Sequence, residues 1–176
     1  MSWARTLGVL AAVFGVIALA GGFQQAPTAR RSAGVGVPVD GGRALWTVRS
    51  AELTTTAAAG YSIDPTLRVR FSVVNTTRRT DGYVDARAVE LVLPDGTVVD
   101  DLNWRAWPRS LAFQPGIPAD AFVEVEVTPD MVADAVVTVR IHDQLPADSM
   151  VSTDAWRVSS DATDVQVRVQ DLRGAR

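Results

Sequence analysis

The chain contains no cysteine, no lysine and a single histidine, His142, among its 176 residues. Without cysteine it cannot form disulfides, thiolate metal sites, a cysteine nucleophile or the lipid-modified cysteine that anchors many exported bacterial proteins. Without lysine it has no Schiff-base residue and no lysine general base. A histidine-based zinc site or a catalytic triad would depend on His142 alone. These absences predict a protein that is not an enzyme and that holds no metal and no cofactor.

The charge of the chain also limits its partners. All seventeen basic residues are arginines, and twenty aspartates and glutamates outnumber them. From Arg43 onward there are fourteen arginines against nineteen acidic residues, a net charge of −5. Because nucleic-acid binding requires a basic surface that contacts phosphates, we do not expect nucleic acid as a partner.

One long apolar run lies near the N-terminus. It spans residues 7–23, LGVLAAVFGVIALAGGF, without a charge, and the only basic side chain ahead of it is Arg5. An apolar run behind a positive N-terminal region is typical of a segment that enters the secretory machinery. We therefore expect residues 1–23 to be a signal peptide or a transmembrane anchor. Everything after them is expected to lie outside the cytoplasmic membrane.

The sequence leaves the fate of this run open. As a helix it would reach about 25 Å, just short of a hydrocarbon core of about 30 Å. Ala18-Leu19-Ala20 is a cleavage site of the A-x-A type, whereas residues 21–23 prolong the apolar stretch as an uncleaved anchor would. The protein is expected to be either a single-pass cell-membrane protein with an extracytoplasmic C-terminal domain, or a protein secreted after cleavage behind Ala20.

A segment rich in glycine, proline and alanine follows the apolar run. Residues 24–42, QQAPTARRSAGVGVPVDGG, have no periodicity and predict a flexible linker that holds the domain off the membrane. Arg30 and Arg31 could contact lipid headgroups there, although two charges in a solvated spacer are the simpler interpretation. Residues 43–176 remain for one domain of ordinary size.

The rest of the chain alternates between apolar and polar residues, as half-buried strands do. The clearest stretch is 66–74, in which Leu67, Val69, Phe71 and Val73 share one face. Further strands are predicted at 44–53, 89–93, 97–102, 122–128, 135–142, 156–159 and 165–171, with a hairpin turn at 94–96. Helix is expected only as one turn at 129–133. Seven or eight short strands in a chain of this length predict an all-β sandwich.

The order of three segments adds a resemblance. Residues 70–76 (RFSVVNT), 89–96 (VELVLPDG) and 114–129, in which QPG precedes FVEVEVTP, resemble a bacterial family of immunoglobulin-like domains of unknown function. Its members are secreted or membrane-tethered, and the family is similar to small secreted immunoglobulin-like antigens. The resemblance covers about residues 46–169. It implies an immunoglobulin-like sandwich outside the cell and offers no catalytic residues to transfer.

Two groups of polar residues have both a functional and a structural interpretation. His142 alternates with buried positions and is expected as an exposed residue at a strand end. Asp95, Asp100 and Asp101 could offer oxygens to calcium, but acidic residues beside a hairpin turn are usually solvated. The structural interpretation is favoured for both groups.

Glu124 and Glu126 are two residues apart on one predicted strand, so both are expected on its exposed face. Glycosidase carboxylates flank a cleft, whereas carboxylates on one strand lie side by side. Arg68 and Arg70 on a neighbouring strand offer cross-strand ion pairs instead.

The segment 102–113, LNWRAWPRSLAF, departs from the strand pattern and carries two of the five tryptophans. If it forms a helical turn, Trp104 and Trp107 share one face, which suits stacking on a sugar or docking on a protein. The alternative is that both rings close one end of the sandwich core. The candidate partner-binding residues are Trp104, Arg105, Trp107 and Arg109.

These features favour a non-catalytic interaction module outside the cytoplasm, such as an accessory subunit of a membrane or cell-envelope complex. Its partner would be a protein, and its N-terminal segment would contact the membrane. The alternative is a carbohydrate-binding sandwich that holds a glycan with Trp104 and Trp107. A hydrolase is a third class, for which the sequence offers no residue set.

Overall fold

The computed structural model describes residues 30–55, 65–80, 86–100, 102–107, 113–128, 134–147 and 155–173, with the backbone alone at 86, 103–107 and 155. These residues form ten strands and one 3-10 turn, Ala86–Ala88. The strands are β1 (Arg30–Ala33), β2 (Val39–Asp40), β3 (Ala44–Thr54), β4 (Thr66–Asn75), β5 (Val89–Val92), β6 (Val98–Val99), β7 (Asn103–Trp107), β8 (Pro118–Glu126), β9 (Val136–Ala147) and β10 (Ala155–Asp171). The prediction of an all-β chain is confirmed.

The strands form two sheets that share one strand. Sheet A has the order β6-β5-β9-β10, and β1 pairs in parallel with β10. Sheet B has the order β3-β4-β8-β7, and β2 pairs with β3. The end of β10 crosses to sheet B, where residues 169–171 pair in parallel with 51–53 of β3.

Apolar side chains of both sheets form one buried cluster. In sheet B the rings of Trp46 and Phe71 meet edge to face, with their centroids 6.0 Å apart. Sheet A contributes Val139, Ile141 and Val165, all fully buried. The shared inner face predicted for β4 is confirmed, because all four of its apolar residues are buried: Leu67, Val69, Phe71 and Val73.

The predicted linker contains two strands and needs correction. Residues 30–33 hydrogen-bond along β10, opposite residues 162–165, and Val39 and Asp40 pair with β3. Between them, the amide of Gly36 donates to the carbonyl of Val48 at 2.9 Å. The segment therefore joins the domain from residue 30 onward, and the domain does not start at 43. Backbone pairing at sheet edges needs no apolar alternation, so periodicity did not reveal it.

Three further expectations have different outcomes: one is corrected, one is confirmed and one lies outside the described residues. The two strands predicted at 156–159 and 165–171 are a single strand, β10, interrupted by a register shift between Val158 and Ala162. The hairpin at 94–96 is confirmed, with the amide of Leu93 donating to the carbonyl of Thr97 at 2.8 Å. The helical turn predicted at 129–133 lies outside the described residues.

The described part of the chain contains no helix long and apolar enough to cross a membrane. The apolar run at 7–23 lies outside the described residues, so its predicted role as a signal peptide or anchor stays a prediction.

Phe71 allows a direct stability test of the core. Its side chain is 1% exposed and packs against Trp46, so we expect Phe71→Ala to lower the free energy of unfolding by about 3 to 5 kcal/mol. Val98→Ala is the control, because Val98 is 50% exposed and its truncation should change stability little. Chemical denaturation measures both. A loss below about 1 kcal/mol for Phe71→Ala would contradict the inward face of β4.

Alanine substitutions at two glycines distinguish the effect of backbone strain from that of close packing between the sheets. Gly42 and Gly96 both have positive φ, 80° and 87°, so alanine is strained at either position. A Cβ on Gly42 would clash with the carbonyl oxygen of Gln144 in β9, whereas a Cβ on Gly96 meets nothing within 4 Å. We expect Gly96→Ala to cost about 1 to 2 kcal/mol of stability and Gly42→Ala clearly more. Equal losses in thermal unfolding would contradict the tight contact at Gly42.

Candidate functional site

The predicted partner-binding segment forms a strand up to Trp107. Residues 103–107 are β7, which pairs antiparallel with β8, so the helical turn considered for this segment is not what the backbone adopts there. Arg109 lies outside the described residues. Trp104, Arg105 and Trp107 are therefore placed by strand register alone.

The register assigns the two tryptophan positions to different faces of sheet B. Trp104 is opposite the buried Val123, and Trp107 is opposite the exposed Asp120. Because directly opposed residues in a sheet share a face, position 104 belongs to the core-facing row and position 107 to the outer row. Position 105, opposite Phe122, shares the outer row with 107. The two tryptophans thus do not share the single recognition face that helical spacing would have given them.

A β-bulge in β3 adds an arginine to this outer face. Val48 pairs with Phe71 and Ser50 with Arg70, which leaves Arg49 as an extra residue between two ladder pairs. The bulge also shifts the buried positions from even numbers, such as Val48, to odd numbers, such as Ala51. Bulges commonly redirect a side chain away from the regular pleat. Arg49 is exposed as a result.

The bulge borders an open groove of about 440 Å³ on sheet B, which we call the β3–β8 groove. Its wall residues are Arg49, Arg70, Phe71, Asp120, Ala121 and Phe122. Of these residues, Phe71 and Ala121 are buried, and Arg49 and Asp120 are exposed. Positions 105 and 107 lie next to it in the sheet, on the far side of β8.

Two of the arginines on the outer face already have carboxylate partners. Arg68 Nη2 lies 2.6 Å from Glu124 Oε1, and its guanidinium carbon is 5.1 Å from the centroid of the Phe122 ring. Arg70 Nε donates to Glu52 Oε1 at 2.8 Å. Among the described residues, Arg49 has no ion pair, so its guanidinium is the free positive charge of the groove.

The predicted glutamate face is partly confirmed and partly wrong. Arg68 and Glu124 form the expected cross-strand pair. Glu124 is buried, however, with a relative exposure of 7%, because the Arg68 guanidinium and the neighbouring strands cover it. Arg70 pairs with Glu52 of β3 instead of a glutamate of β8, since the β3 ladder brings Glu52 onto the same outer face.

The expectation of an exposed histidine at a strand end is wrong, because His142 lies within β9 and its side chain is only 12% exposed. Its Nδ1 is 3.0 Å from the carbonyl of Ser159, and its Nε2 is 3.1 Å from Glu90 Oε1. Arg140 bridges Glu90 at 3.1 Å and Asp164 at 3.0 Å. Burial alone would lower the pKa of Arg140, but the hydrogen bonds to Asp164 and Glu90 outweigh it and raise that pKa. This is a polar network across three strands of sheet A that ties them together.

The acidic hairpin behaves as a turn. Asp95 Oδ1 accepts a hydrogen bond from the Thr97 amide at 2.9 Å, and that bond, with one from the Thr97 side chain, lowers the pKa of Asp95. Asp101 lies outside the described residues. Within the described ranges, no three histidine, aspartate or glutamate side chains are grouped to hold a metal ion.

The sequence contains one indication of the bulge that borders the groove. In β3 the apolar positions change from Trp46 and Val48 to Ala51 and Leu53, a change of parity that marks a bulge. Phe122 and Asp120 gave no comparable signal, because they become wall residues only through the pairing of β4 with β8.

Comparison with known proteins supports the fold. No protein-family model matches the chain, and no curated protein matches it. Its fold is similar to that of an uncharacterized β-sandwich protein from Clostridium difficile 630, at 8% identity and a TM-score of 0.55, over 82% of this chain and 99% of that one. The yjhA protein from Bacillus subtilis matches at 13% identity and a TM-score of 0.46, over 77% and 98% of the two chains. A ceramidase complexed with C2 matches at 14% identity and a TM-score of 0.31, over 79% of this chain and 21% of that one. At these identities and scores, the first similarity supports the fold alone: the chain is a β-sandwich.

Proposed function

We propose that this chain is a non-catalytic interaction module outside the cytoplasmic membrane that binds an acidic segment of a protein partner in the β3–β8 groove. The apolar run 7–23 would serve as its export signal or anchor, and the sandwich would be of the immunoglobulin-like type. A role as accessory subunit of a membrane or cell-envelope complex suits such a module.

The observation that carries the proposal is the free arginine on the groove wall. Arg49 is exposed and unpaired within the described residues, whereas Arg68 and Arg70 are held by glutamates. A guanidinium can bind a carboxylate through two parallel hydrogen bonds, which gives both affinity and orientation. The half-buried Phe122 beside it provides apolar area for the flanking side chain of a partner.

The outer row of β7 extends the same surface. Positions 105 and 107 carry arginine and tryptophan, two residue types that are enriched at interface hot spots. Asp120, opposite position 107, adds a negative charge at the far wall. A partner segment with an acidic residue toward β3 and a basic residue toward β7 would complement this arrangement of charges.

The location of the domain is supported by the sequence. An uncharged run of seventeen residues behind Arg5 is typical of export, and the resemblance to secreted or membrane-tethered domains points the same way. The six residues 24–29 separate this run from β1, so the described domain follows it closely.

The groove is tested by reversing the charge at Arg49. We expect Arg49→Glu to lower partner affinity by tenfold or more, about 1.4 kcal/mol or more, because the acidic segment would then meet a like charge. The experiment is crosslinking and co-purification from native membranes, followed by titration of the identified partner against purified full-length variants.

Arg168→Glu is the matched control, because Arg168 is 70% exposed on β10 and outside the groove. Both variants should keep the wild-type unfolding temperature. Equal partner binding by wild type and Arg49→Glu would exclude the groove as the protein site. If the purified chain instead binds glycans on an array, and replacing Trp104 and Trp107 with alanine abolishes that binding, the carbohydrate-binding alternative replaces the protein partner.

The compartment has its own test. A reporter that is active only in the cytoplasm, fused after Arg176, should be silent, because the domain would be exported with the reporter attached. The same fusion lacking residues 1–23 is the control and should be active. Full activity of the complete fusion would refute the extracytoplasmic location and leave the groove experiment unaffected.

A further inference from the structure

We infer that residues 30–37, which we call the N-terminal rim, form a membrane-contact surface that binds anionic lipid headgroups. The inference rests on the proposed function in one respect: the apolar run 7–23 must remain attached and inserted in the bilayer. It goes beyond that function because it assigns a second surface, with a lipid ligand, to a segment expected to be a spacer.

The first step is the length of the tether. A linker over residues 24–42 would have let the domain stand about 65 Å from the membrane when extended. The pairing of β1 with β10 begins at Arg30, opposite Ala162, so only residues 24–29 remain as a spacer. Six residues span about 20 Å at most. The rim must therefore lie within that distance of the end of the apolar run.

The second step is the chemistry of the rim. Arg30 and Arg31 are exposed at its start, and Val35 and Val37 follow at 45% and 49% exposure. Cationic side chains next to exposed apolar ones are what a surface at the headgroup boundary presents to a bilayer. Both valines belong to the turn 34–37, in which the amide of Val37 donates to the carbonyl of Gly34 at 3.2 Å.

The third step concerns the carboxylates near the rim. An open groove of about 700 Å³ runs along β1 and β10, with Arg30, Arg31 and Asp164 among its wall residues. Asp164 is bonded to Arg140 Nε at 3.0 Å, and Asp143 is bonded to Arg31. Arg30 has no ion pair within the described ranges, so a positive charge remains available for a headgroup phosphate.

The rim also has a fixed orientation. Four residues of β1 pair with β10, and the Gly36 amide donates to the carbonyl of Val48 in β3 at 2.9 Å. Because the rim is bonded to both sheets, contact with a bilayer would orient the whole sandwich and not only a loop.

The experiment uses the absence of cysteine, since a single introduced cysteine can be labelled uniquely. The full-length variants Val35→Cys and Val98→Cys carry an environment-sensitive fluorophore at equally exposed valines, 45% and 50%, on the rim and on β6. Each is reconstituted into nanodiscs of phosphatidylcholine, with or without phosphatidylglycerol, that contain a headgroup quencher. We expect strong quenching at position 35, greater with phosphatidylglycerol, and little at position 98.

Substitution of the rim arginines tests the charge. In the Val35→Cys background, Arg30→Gln should lower the bilayer-contact equilibrium by about fivefold in phosphatidylglycerol discs. Arg31→Gln should lower it less, because Arg31 is already paired with Asp143. Arg168→Gln is the control and should leave quenching unchanged. Retention on the discs without quenching at position 35 would overturn the inference alone. Loss of residues 1–23, detected by mass spectrometry together with release from the discs, would overturn the anchor and this inference, and leave binding in the β3–β8 groove intact.

Discussion

The sandwich depends on the backbone hydrogen bonds of β10, which pairs with both sheets. Its first part pairs with β9 over residues 155–168, and its last three residues pair with β3. A chain without cysteine has no disulfide between its layers, so packing and this shared strand must hold them together. At the other end of β3, the amide of Gln144 in β9 donates to the carbonyl of Gly41 at 2.8 Å, a second backbone bond between the layers. The core is thus closed at both ends of β3.

The inner faces of the long strands could be predicted from the sequence, and the edges could not. Each Å² of apolar area that is removed from water stabilises the fold by about 25 cal/mol. The side chains that face the core, such as Phe71 and Val139, are therefore apolar, and they alternate along the strand with polar side chains that face water. Edge strands such as β1 and β2 are held by main-chain hydrogen bonds, which every residue except proline can form. Their composition therefore resembles that of a linker. The interruption of β10 was also not predictable from periodicity as part of one strand. At the register shift, three residues of β10 lie opposite one residue of β9, so the alternation is broken there.

The candidate site illustrates the same limit. The tryptophan segment is conspicuous by its composition, and the sequence is compatible with either a shared recognition face or a role in the core for both rings. Strand register gives the two positions different surroundings, because Trp104 is opposite Val123 and Trp107 is opposite Asp120. The face on which each tryptophan position lies is therefore decided by pairing with a residue 13 or 19 positions away, which no local pattern records. Arg49 is the reverse case, since the bulge that exposes it coincides with a local change of parity in β3 that the sequence itself contains.

The arginines of the outer face divide into structural and available ones, and this division decides which of them can recognise a partner. Arg68 and Glu124 are 17% and 7% exposed, so removing either one would leave a largely buried charge, at a cost of about 3 to 5 kcal/mol. A partner that drew Arg68 away from Glu124 would face a similar cost. Arg70 would have to leave Glu52, which also accepts a hydrogen bond from Ser50 at 2.9 Å. Arg49, the extra residue of the bulge, has no ion pair with any described residue, so binding at Arg49 would break none of those pairs. The binding that we propose at Arg49 would therefore not destabilise the sheet that supports it.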